Sequence, residues 1–368
     1  MRWPWTSLKP AIRLRGGMVS GSAGLVVNPD ASRDVRRLTS LARTIDVHER
    51  VHTTSRVLRG LAAAGVRQVL YMPEPARVVE RALEALSAAG FALGLRTQPE
   101  VRPVQVPCGL AVDAHGTSAA GAAMAAAGVG CVVTVGGDGT NRAVAIGWPD
   151  AVLVPLPGGT NNAFAVPAEP TAAGLAAGVY AADPERYSEF VHPAGRLEVR
   201  GEPWPSTVAL VDVALVRGVW VGAHAIWEPD TLVEVVLARA DPSVPGLAGL
   251  GGMLHPLDGR GDHVLHVRFG PPGRPVLAQL GPGRIEAVAV RDWRLVSGGR
   301  PVILSPGPAT VALDGEREIV LEPGCRAEVR LVAGGPRLLD ARSLLGRAAR
   351  EGRFSPGRPP RERSDADG

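Results

Sequence analysis

Hydrophobic positions follow two different patterns along the chain. Between residues 22 and 165, short apolar runs alternate with stretches in which apolar residues recur every three or four positions. Strands that alternate with helices are typical of parallel βαβ units. We therefore predict a Rossmann-like, open parallel α/β domain over residues 22–165. The predicted strands are 24–27, 68–72, 101–106, 130–135 and 151–155, and the predicted helices are 33–41, 51–64, 76–89, 118–127 and 141–146.

The pattern changes after a helix predicted at residues 171–182. Short runs of alternating apolar and polar residues, separated by Gly- and Pro-rich turns such as 201–203 and 271–273, predict a sheet-rich region. We assign residues 166–340 to a C-terminal β-rich, sandwich-like domain that includes the linking helix. Its predicted strands are 197–200, 208–216, 219–224, 233–238, 263–269, 285–290, 310–313, 319–321 and 328–332. The glycine-rich residues 246–252 are expected to form a mobile loop near the cleft, and residues 1–20 and 346–368 to be disordered tails.

Composition narrows the function classes. The sequence pI is about 9.4, but residues 1–20 carry +4 and residues 341–368 carry +3 of a total of +4, so the body between them carries −3. Basic charge confined to the tails does not predict a specific nucleic-acid site. The three cysteines are isolated, which fits a reducing cytoplasm and no zinc or disulfide framework. The longest apolar stretches are interrupted well before about 20 residues, so no membrane span is expected.

One loop carries most of the chemical information. A buried-type strand, residues 130–135, ends at Gly136-Gly137-Asp138-Gly139-Thr140. Glycines let a backbone approach phosphate oxygens, and a helix start presents N–H groups to an anion. A carboxylate there either holds Mg²⁺ or takes a proton from an attacking hydroxyl, which marks Asp138. The alternative is a turn in which Asp138 is only a turn former.

A second polar loop follows the next predicted strand. It reads Pro155-Leu156-Pro157-Gly158-Gly159-Thr160-Asn161-Asn162. Because neighbouring parallel strands end at the same sheet edge, both loops should line one crevice. The alternative is an ordinary solvated connection. A Walker A loop is excluded because Lys9 is the only lysine, and Arg142 stands where a dinucleotide fingerprint needs its third glycine.

The order of these motifs resembles the NAD kinase and diacylglycerol kinase superfamily, and within it the branch related to acetoin catabolism protein X. The resemblance covers roughly residues 22–335. It rests on an early Asn-Pro turn, the GGDGT loop with a nearby arginine, the GTNN loop and a late Leu-Asp-Gly-Glu turn. In this sequence those are Asn28-Pro29, Gly136 to Thr140 with Arg142, Gly159 to Asn162, and Leu313 to Glu316.

The resemblance implies an N-terminal α/β domain, a C-terminal β domain and a nucleotide cleft between them, with ATP and Mg²⁺. It assigns Asp138 as the base for the acceptor hydroxyl and Glu316 as the base of the lipid-kinase branch. It also implies Asp138 and Asp314 as metal ligands and Asp212 as a contact to the adenosine of NAD. The implied phosphate- and nucleotide-binding residues are Asn28, Gly136, Gly137, Gly139, Thr140, Arg142, Gly159, Thr160, Asn161 and Asn162.

The leading hypothesis is an ATP-dependent, cytoplasmic kinase that phosphorylates an alcohol, nominally the 2′-hydroxyl of NAD to give NADP. Two alternatives remain open: a non-catalytic nucleotide-binding regulator on the same fold, and a lipid or diacylglycerol-type kinase. Nucleotide binding without any phosphorylated product would favour the first, and an exposed apolar rim on the cleft would favour the second. Small-molecule nucleotides are the expected partners, and homo-oligomerisation is left open.

Overall fold

The computed structural model describes residues 21–31, 36–93, 102–165, 167–218, 226, 228–305 and 307–354. The predicted N-terminal tail, the predicted strand 219–224 and residues 355–368 of the predicted C-terminal tail lie outside those residues.

The first sheet has seven strands. Its order is β3-β2-β1-β4-β5-β17-β6, and every pair is parallel except β17 with β6. The β-branched run of β4 is buried over all five residues, as expected for a strand covered on both faces. The strands are β1 (Ser22–Val27), β2 (Gln68–Tyr71), β3 (Arg102–Gln105), β4 (Val132–Gly136), β5 (Val152–Pro157), β6 (Val191–Pro193) and β17 (Arg337–Leu339).

Helices cover both faces of this sheet. Asp46 and Asp113 are the N-caps of α2 and α4, and each side chain accepts a hydrogen bond from the backbone N–H three residues later. Helices α2, α3, α6 and α8 pack on one face, and α4 and α5 on the other. The helices are α1 (Arg36–Thr39), α2 (Val47–Ala63), α3 (Val78–Leu93), α4 (Ala114–Ala126), α5 (Asp138–Gly147), α6 (Pro170–Ala182), α7 (Leu247–Leu254) and α8 (Ala341–Arg350).

Two antiparallel sheets form the rest of the molecule. The six-stranded sheet has the order β12-β11-β10-β9-β14-β15, and the four-stranded sheet β13-β16-β7-β8. Their inner faces share one apolar core, so they form a sandwich. The strands are β7 (Arg196–Arg200), β8 (Thr207–Ala209), β9 (Asp212–Arg217), β10 (Leu232–Leu237), β11 (His263–Gly281), β12 (Arg284–Ser297), β13 (Val302–Leu304), β14 (Ala309–Leu313), β15 (Glu316–Leu321) and β16 (Ala327–Val332).

The two regions are joined by a continuous hydrophobic core. One core cluster includes Val26 and Val132 of the first sheet, Val144 of α5, and Val235 and Leu265 of the six-stranded sheet. The carboxyl ends of β4 and β5 therefore face the start of β9 and the β14–β15 turn. This packing places the predicted loops of both regions opposite each other.

The predicted fold class is confirmed: a parallel α/β region precedes a β sandwich. The division at residues 165 and 166 stays a prediction, but the first sheet also takes in β6 and β17, and α6 packs against α2. Within the described residues, no helix combines the length and the apolar character needed to cross a bilayer.

Several local predictions are wrong. Residues 246–252 lie largely in helix α7, because their alanines, leucines and glycines are almost all buried. The predicted tail does not begin at residue 346, because α8 continues to Arg350 and buries Ala348. The predicted strand 208–216 is two strands in different sheets. The predicted turn 271–273 falls inside the bounds of β11, where residues 270–273 leave the ladder because Phe269 and Arg274 both pair with Val290. Helix α5 begins at Asp138, three residues before its predicted start at 141.

Candidate active site

Two cavities meet at Asp138. The larger, of about 290 Å³, lies between the predicted phosphate loops and the β14–β15 turn. The smaller, of about 50 Å³, lies between the second loop, α7 and the six-stranded sheet. Asp138, Asn161 and Asp314 line both. Two carboxylates, those of Asp138 and Asp314, therefore border both spaces.

The larger cavity brings together most of the residues selected from the sequence. The predicted residues that line it are Asn28, Gly137, Asp138, Gly139, Thr140, Arg142, Gly159, Thr160, Asn161, Asp314 and Glu316. Three predicted residues do not line it: Gly136, Asn162 and Asp212. Asp212 lines the smaller cavity instead.

The glycines of the two loops serve mainly to let the loops touch each other. A methyl group on Gly159 would lie 2.8 Å from the Cα of Gly137, and one on Gly158 would lie 2.9 Å from the N of Gly136. The N–H of Gly158 also donates to the carbonyl of Gly136 at 2.9 Å. Gly139 differs, because the nearest atom to such a methyl group is Oε1 of Glu316 at 3.9 Å. Of the five loop glycines named here, Gly139 has the most open approach to its backbone.

Two asparagine side chains fix the loops. The amide nitrogen of Asn28 donates to Oγ1 of Thr140 at 3.0 Å, which ties the end of β1 to the GGDGT loop. The Asn162 side chain accepts from the N–H of Gly159 and donates to the carbonyl of Gly159, both at 2.9 Å. Asn162 was selected as a nucleotide contact, but its amide is used to hold its own loop.

Arg50 also holds the loops and was not selected from the sequence. It is fully buried on α2 and donates to the carbonyls of Ala31 and Gly158. A signal was present, because Arg50 lies at helical spacing from the buried residues Thr54, Leu58 and Leu61. A cation on the apolar face of a helix usually has a specific partner.

Asp138 is the first residue of α5, and its carboxylate is held by the second loop. Its two oxygens accept from the backbone N–H groups of Ala163 and Phe164 at 2.9 and 3.0 Å. Burial raises the pKa of Asp138 to about 6, the two N–H groups and the charge of Arg239 oppose this, and Asp314 adds to it. A carboxyl group with that pKa is close to the optimum for a general base at neutral pH.

Arg239 is a second residue that the sequence did not reveal. Its guanidinium lies over the ring of Phe164, 4.8 Å from the ring centre. Burial lowers the pKa of Arg239 to about 10, while the charge of Asp138 opposes this, so the group stays cationic at neutral pH. It follows strand β10 with no local motif, so only the tertiary structure relates it to Asp138.

Arg142 connects the helix to the β14–β15 turn. Its Nε lies 3.6 Å from Oδ2 of Asp314, and its Nη2 donates to Glu318. Its Nη1 is buried and has no hydrogen-bond partner in the described part of the chain. Arg142 itself lines the larger cavity, so its guanidinium brings a positive charge to that space.

The residues present do not fit a resident metal ion. The Asp314 carboxylate accepts from the N–H groups of Leu210, Val211 and Asp212, at 2.8 to 3.3 Å. Burial raises the pKa of Asp314, while Arg142 and these N–H groups oppose the shift. N–H donors and a guanidinium are poor neighbours for a cation, and the described residues hold no group of three or more His, Cys, Asp or Glu suited to a metal. The predicted pairing of Asp138 and Asp314 as metal ligands is therefore not supported.

The smaller cavity combines an apolar wall with a polar inner end. Its polar end is formed by Asp138, Asn161, Asp212 and Asp314. The Asn161 Oδ1 is buried and has no hydrogen-bond partner among the residues described. The apolar wall comes from Ala163, Val211, Ile226, Pro229, Leu232, Pro245, Leu247, Ala248 and Leu280.

Sequence comparison finds relatives of this chain. A family model described as the acetoin catabolism protein X C-terminal domain matches residues 195–334. Acetoin catabolism protein X from Cupriavidus necator is 33% identical over 335 residues, which are 89% of this chain and 92% of that protein.

Two solved structures are similar at lower levels. Yeast NADH kinase complexed with NADH matches with a TM-score of 0.47 and 12% identity over 92% of this chain and 89% of that one. A putative diacylglycerol kinase from Bacillus anthracis matches with a TM-score of 0.45 and 13% identity over 87% and 97%. At these values neither likeness carries an argument about activity.

Proposed function

The chain belongs to the acetoin catabolism protein X family, and we propose that it transfers a phosphoryl group from ATP to an alcohol. The two glycine-rich loops predicted from the sequence meet at Asp138. The observation that carries this proposal is the position of Asp138. Its carboxylate is buried, has a pKa raised to about 6, and lies where the two cavities meet. One cavity would hold the donor and the other the acceptor.

The larger cavity has the features of a polyphosphate site. At the start of α5 the N–H groups of Thr140 and Asn141 donate to the carbonyl of Gly137, which leaves those of Asp138 and Gly139 without a partner within the helix, and the helix dipole makes this end positive. The guanidinium of Arg142 borders the same cavity, and Gly139 offers open access to the backbone. An anion can therefore be bound by backbone and guanidinium together.

Asp138 would act as the base. Phosphoryl transfer needs little covalent help from the protein, so positioning and charge stabilisation supply most of the rate. Held by two N–H groups, Asp138 is fixed in direction, and it is ionised at pH 7 because its pKa is about 6. Glu316 lies on the far side of Gly139, with Oε1 3.9 Å from a methyl group placed there, and is the second candidate base.

The experiment is direct. The purified full chain is incubated with Mg-ATP and an acceptor panel that contains NAD, NADH, diacylglycerol and short diols, and products are examined by mass spectrometry for a gain of one phosphate. Calorimetry measures ATP binding in parallel. A phosphorylated alcohol supports the proposal. ATP binding with no phosphorylated product from any acceptor contradicts it and favours a nucleotide-binding regulator. NADP as the product would establish the 2′-hydroxyl of NAD as the acceptor.

A further inference from the structure

Phe164 links the candidate base to a cation that belongs to the β sandwich. Its backbone N–H donates to Oδ1 of Asp138 at 3.0 Å, and its side chain is fully buried. The guanidinium of Arg239, the second residue after β10, lies over the Phe164 ring at 4.8 Å from the ring centre. A cation in that position is attracted to the face of the ring. Arg239 therefore packs on the residue that holds one oxygen of the carboxylate.

The Arg239 side chain is itself held by a loop of the β region. Its Nη1 donates to the carbonyl of Asp258 at 3.1 Å. A methyl group on Gly259 would lie 2.5 Å from Cγ and 2.8 Å from Cζ of Arg239. The carbonyl of Gly259 accepts from the N–H of Gly195 at 2.8 Å, which fixes this loop beside the start of β7. The absence of a side chain at residue 259 thus lets the loop close against Arg239.

This position is an unfavourable one for an arginine unless its charge has a use. Its Nε and Nη2 are buried and have no hydrogen-bond partner in the described part of the chain, whereas buried polar groups are normally paired. Burial lowers the pKa of Arg239, the charges of Asp138 and Asp258 oppose this, and Arg260 adds to it. Burial raises the pKa of Asp138, Asp314 adds to the rise, and the charge of Arg239 opposes it. Arg239 and Asp138 therefore each favour the ionised form of the other.

We infer, on the basis of the proposed phosphoryl transfer, that Arg239 is a positioning residue for the base: packed on Phe164, it fixes the N–H that orients the Asp138 carboxylate. Arg239 lines neither cavity, so it does not contact the donor or the acceptor and acts through Asp138. The β sandwich thereby determines the direction of a base that belongs to the α/β region.

The first test uses the full chain with Mg-ATP and whichever of NAD, NADH, diacylglycerol and short diols is phosphorylated fastest. Arg239→Met should lower kcat at pH 7 by about tenfold, because the base is less well oriented, and should change KM for ATP and acceptor by less than about twofold. The rising limb of its pH profile should move to higher pH. A carbon-13 titration of the Asp138 carboxyl group, without any ligand, should move in the same direction.

Two further variants accompany this one. Arg239→Lys keeps the charge, so it should return the rising limb toward the parental pH. Arg268→Met is the matched control, because it removes a cation of β11 whose side chain is more than half exposed and paired with Asp292. It should leave kcat and the rising limb at their parental values.

A pair of glycine variants tests the same contact without removing the charge. Gly259→Ala places a methyl group against Arg239 and must displace it, whereas Gly261→Ala, two residues further on, meets nothing within 4 Å. We expect kcat to fall by about threefold or more in the first variant and to stay at the parental level in the second. Circular dichroism checks the fold of each.

The outcomes separate this role from the proposed activity. A folded Arg239→Met with parental kcat and a parental rising limb overturns the positioning role and leaves the kinase activity standing. If that variant does not fold, a folded Gly259→Ala with parental kcat overturns it. A lower kcat with no movement of the rising limb or of the carbon-13 titration would make Arg239 a structural residue only, which also overturns it. No transfer by the parental chain to any acceptor, with ATP bound, overturns the kinase activity and this role with it.

Discussion

The two cavities that meet at Asp138 are built in different ways. The larger is lined by contiguous loops at the ends of parallel strands, with Gly137 to Thr140 on one side and Gly159 to Asn161 on the other. The smaller is lined by short pieces of segments far apart in the chain, among them Thr39-Ser40, Val211-Asp212, Pro245 to Ala248 and Asp314-Gly315. The loop motifs determine which residues line the larger cavity. The residues that line the smaller cavity are brought together only when the β sandwich packs on the α/β region. A motif can therefore predict how a donor is held without predicting what the acceptor is.

Replacing Asp138 should have the largest effect, because both cavities depend on it. For Asp138→Asn we expect turnover to fall by about a hundredfold or more, since the amide cannot take the hydroxyl proton. ATP binding, measured by calorimetry, should persist. The fold of the variant needs a check by circular dichroism, because one of the two backbone N–H groups that donate to the Asp138 carboxylate loses its acceptor. Turnover near the parental level in a folded variant would remove Asp138 from the mechanism.

Replacing Arg142 should affect the larger cavity alone. Arg142→Lys keeps a charge but loses the planar fork, so we expect ATP affinity to fall by about tenfold or more with little change in KM for the acceptor. Glu318→Gln is the matched control, because it changes the partner of Arg142 while leaving the guanidinium in place. A change confined to the acceptor KM would mean that the two cavities have been assigned the wrong way round.

The pH profile tests the shared carboxylate. Because the pKa of Asp138 is raised to about 6, kcat/KM should rise with pH through about 6 and fall about tenfold at pH 5. A raised pKa in the folded state means that protonation of Asp138 stabilises the fold: this contribution is full below about pH 4 and is lost as pH rises through about 6. The loss of activity expected at pH 5 is therefore not caused by unfolding through Asp138. Arg239→Met should move the rising limb to higher pH, because the opposing charge is gone. A limb that stays at the same pH in this variant would show that Arg239 does not act on the carboxylate.

A pair of glycine substitutions separates loop packing from ligand approach. Gly159→Ala forces a methyl group to 2.8 Å from the Cα of Gly137, and we expect it to lower the free energy of unfolding by about 1–3 kcal/mol. Gly139→Ala meets open space near a helix start, so stability should change little. If phosphate approaches that backbone, the second variant should nevertheless weaken ATP binding, as calorimetry would reveal. Equal stability of the two variants would contradict the packing role of Gly159.

The sequence predicted the elements of the parallel region well, because there the spacing of apolar residues and the residue types at each position indicate the same secondary structure. Strand β4 is a β-branched run, and α4 and α2 have aspartate N-caps at their starts. It predicted the sandwich less well because strand boundaries there depend on tertiary pairing. The segment 208–216 looks like one strand, yet Leu210 and Val211 turn the chain between two sheets because their N–H groups are held by Asp314.

The candidate site shows the same limit. The motifs placed eleven predicted residues around the larger cavity. They did not reveal that the side chains of Asn162 and Asp314 bond backbone groups. The sequence also missed Arg239 and Arg50. Arg239 has no local signal, and its relation to Asp138 exists only after β10 packs against the second loop.

The most direct test of the account is a carbon-13 NMR titration of the aspartate carboxyl groups in the full chain, with Asp138→Asn to assign the resonance. We expect a carboxyl group that titrates near pH 6, that is absent from the variant, and that shifts when ATP and when an alcohol acceptor from the transfer assay are added separately. A resonance that titrates near the ordinary value of about 3.8, or that responds to neither ligand, would contradict the claim that one buried carboxylate serves both cavities.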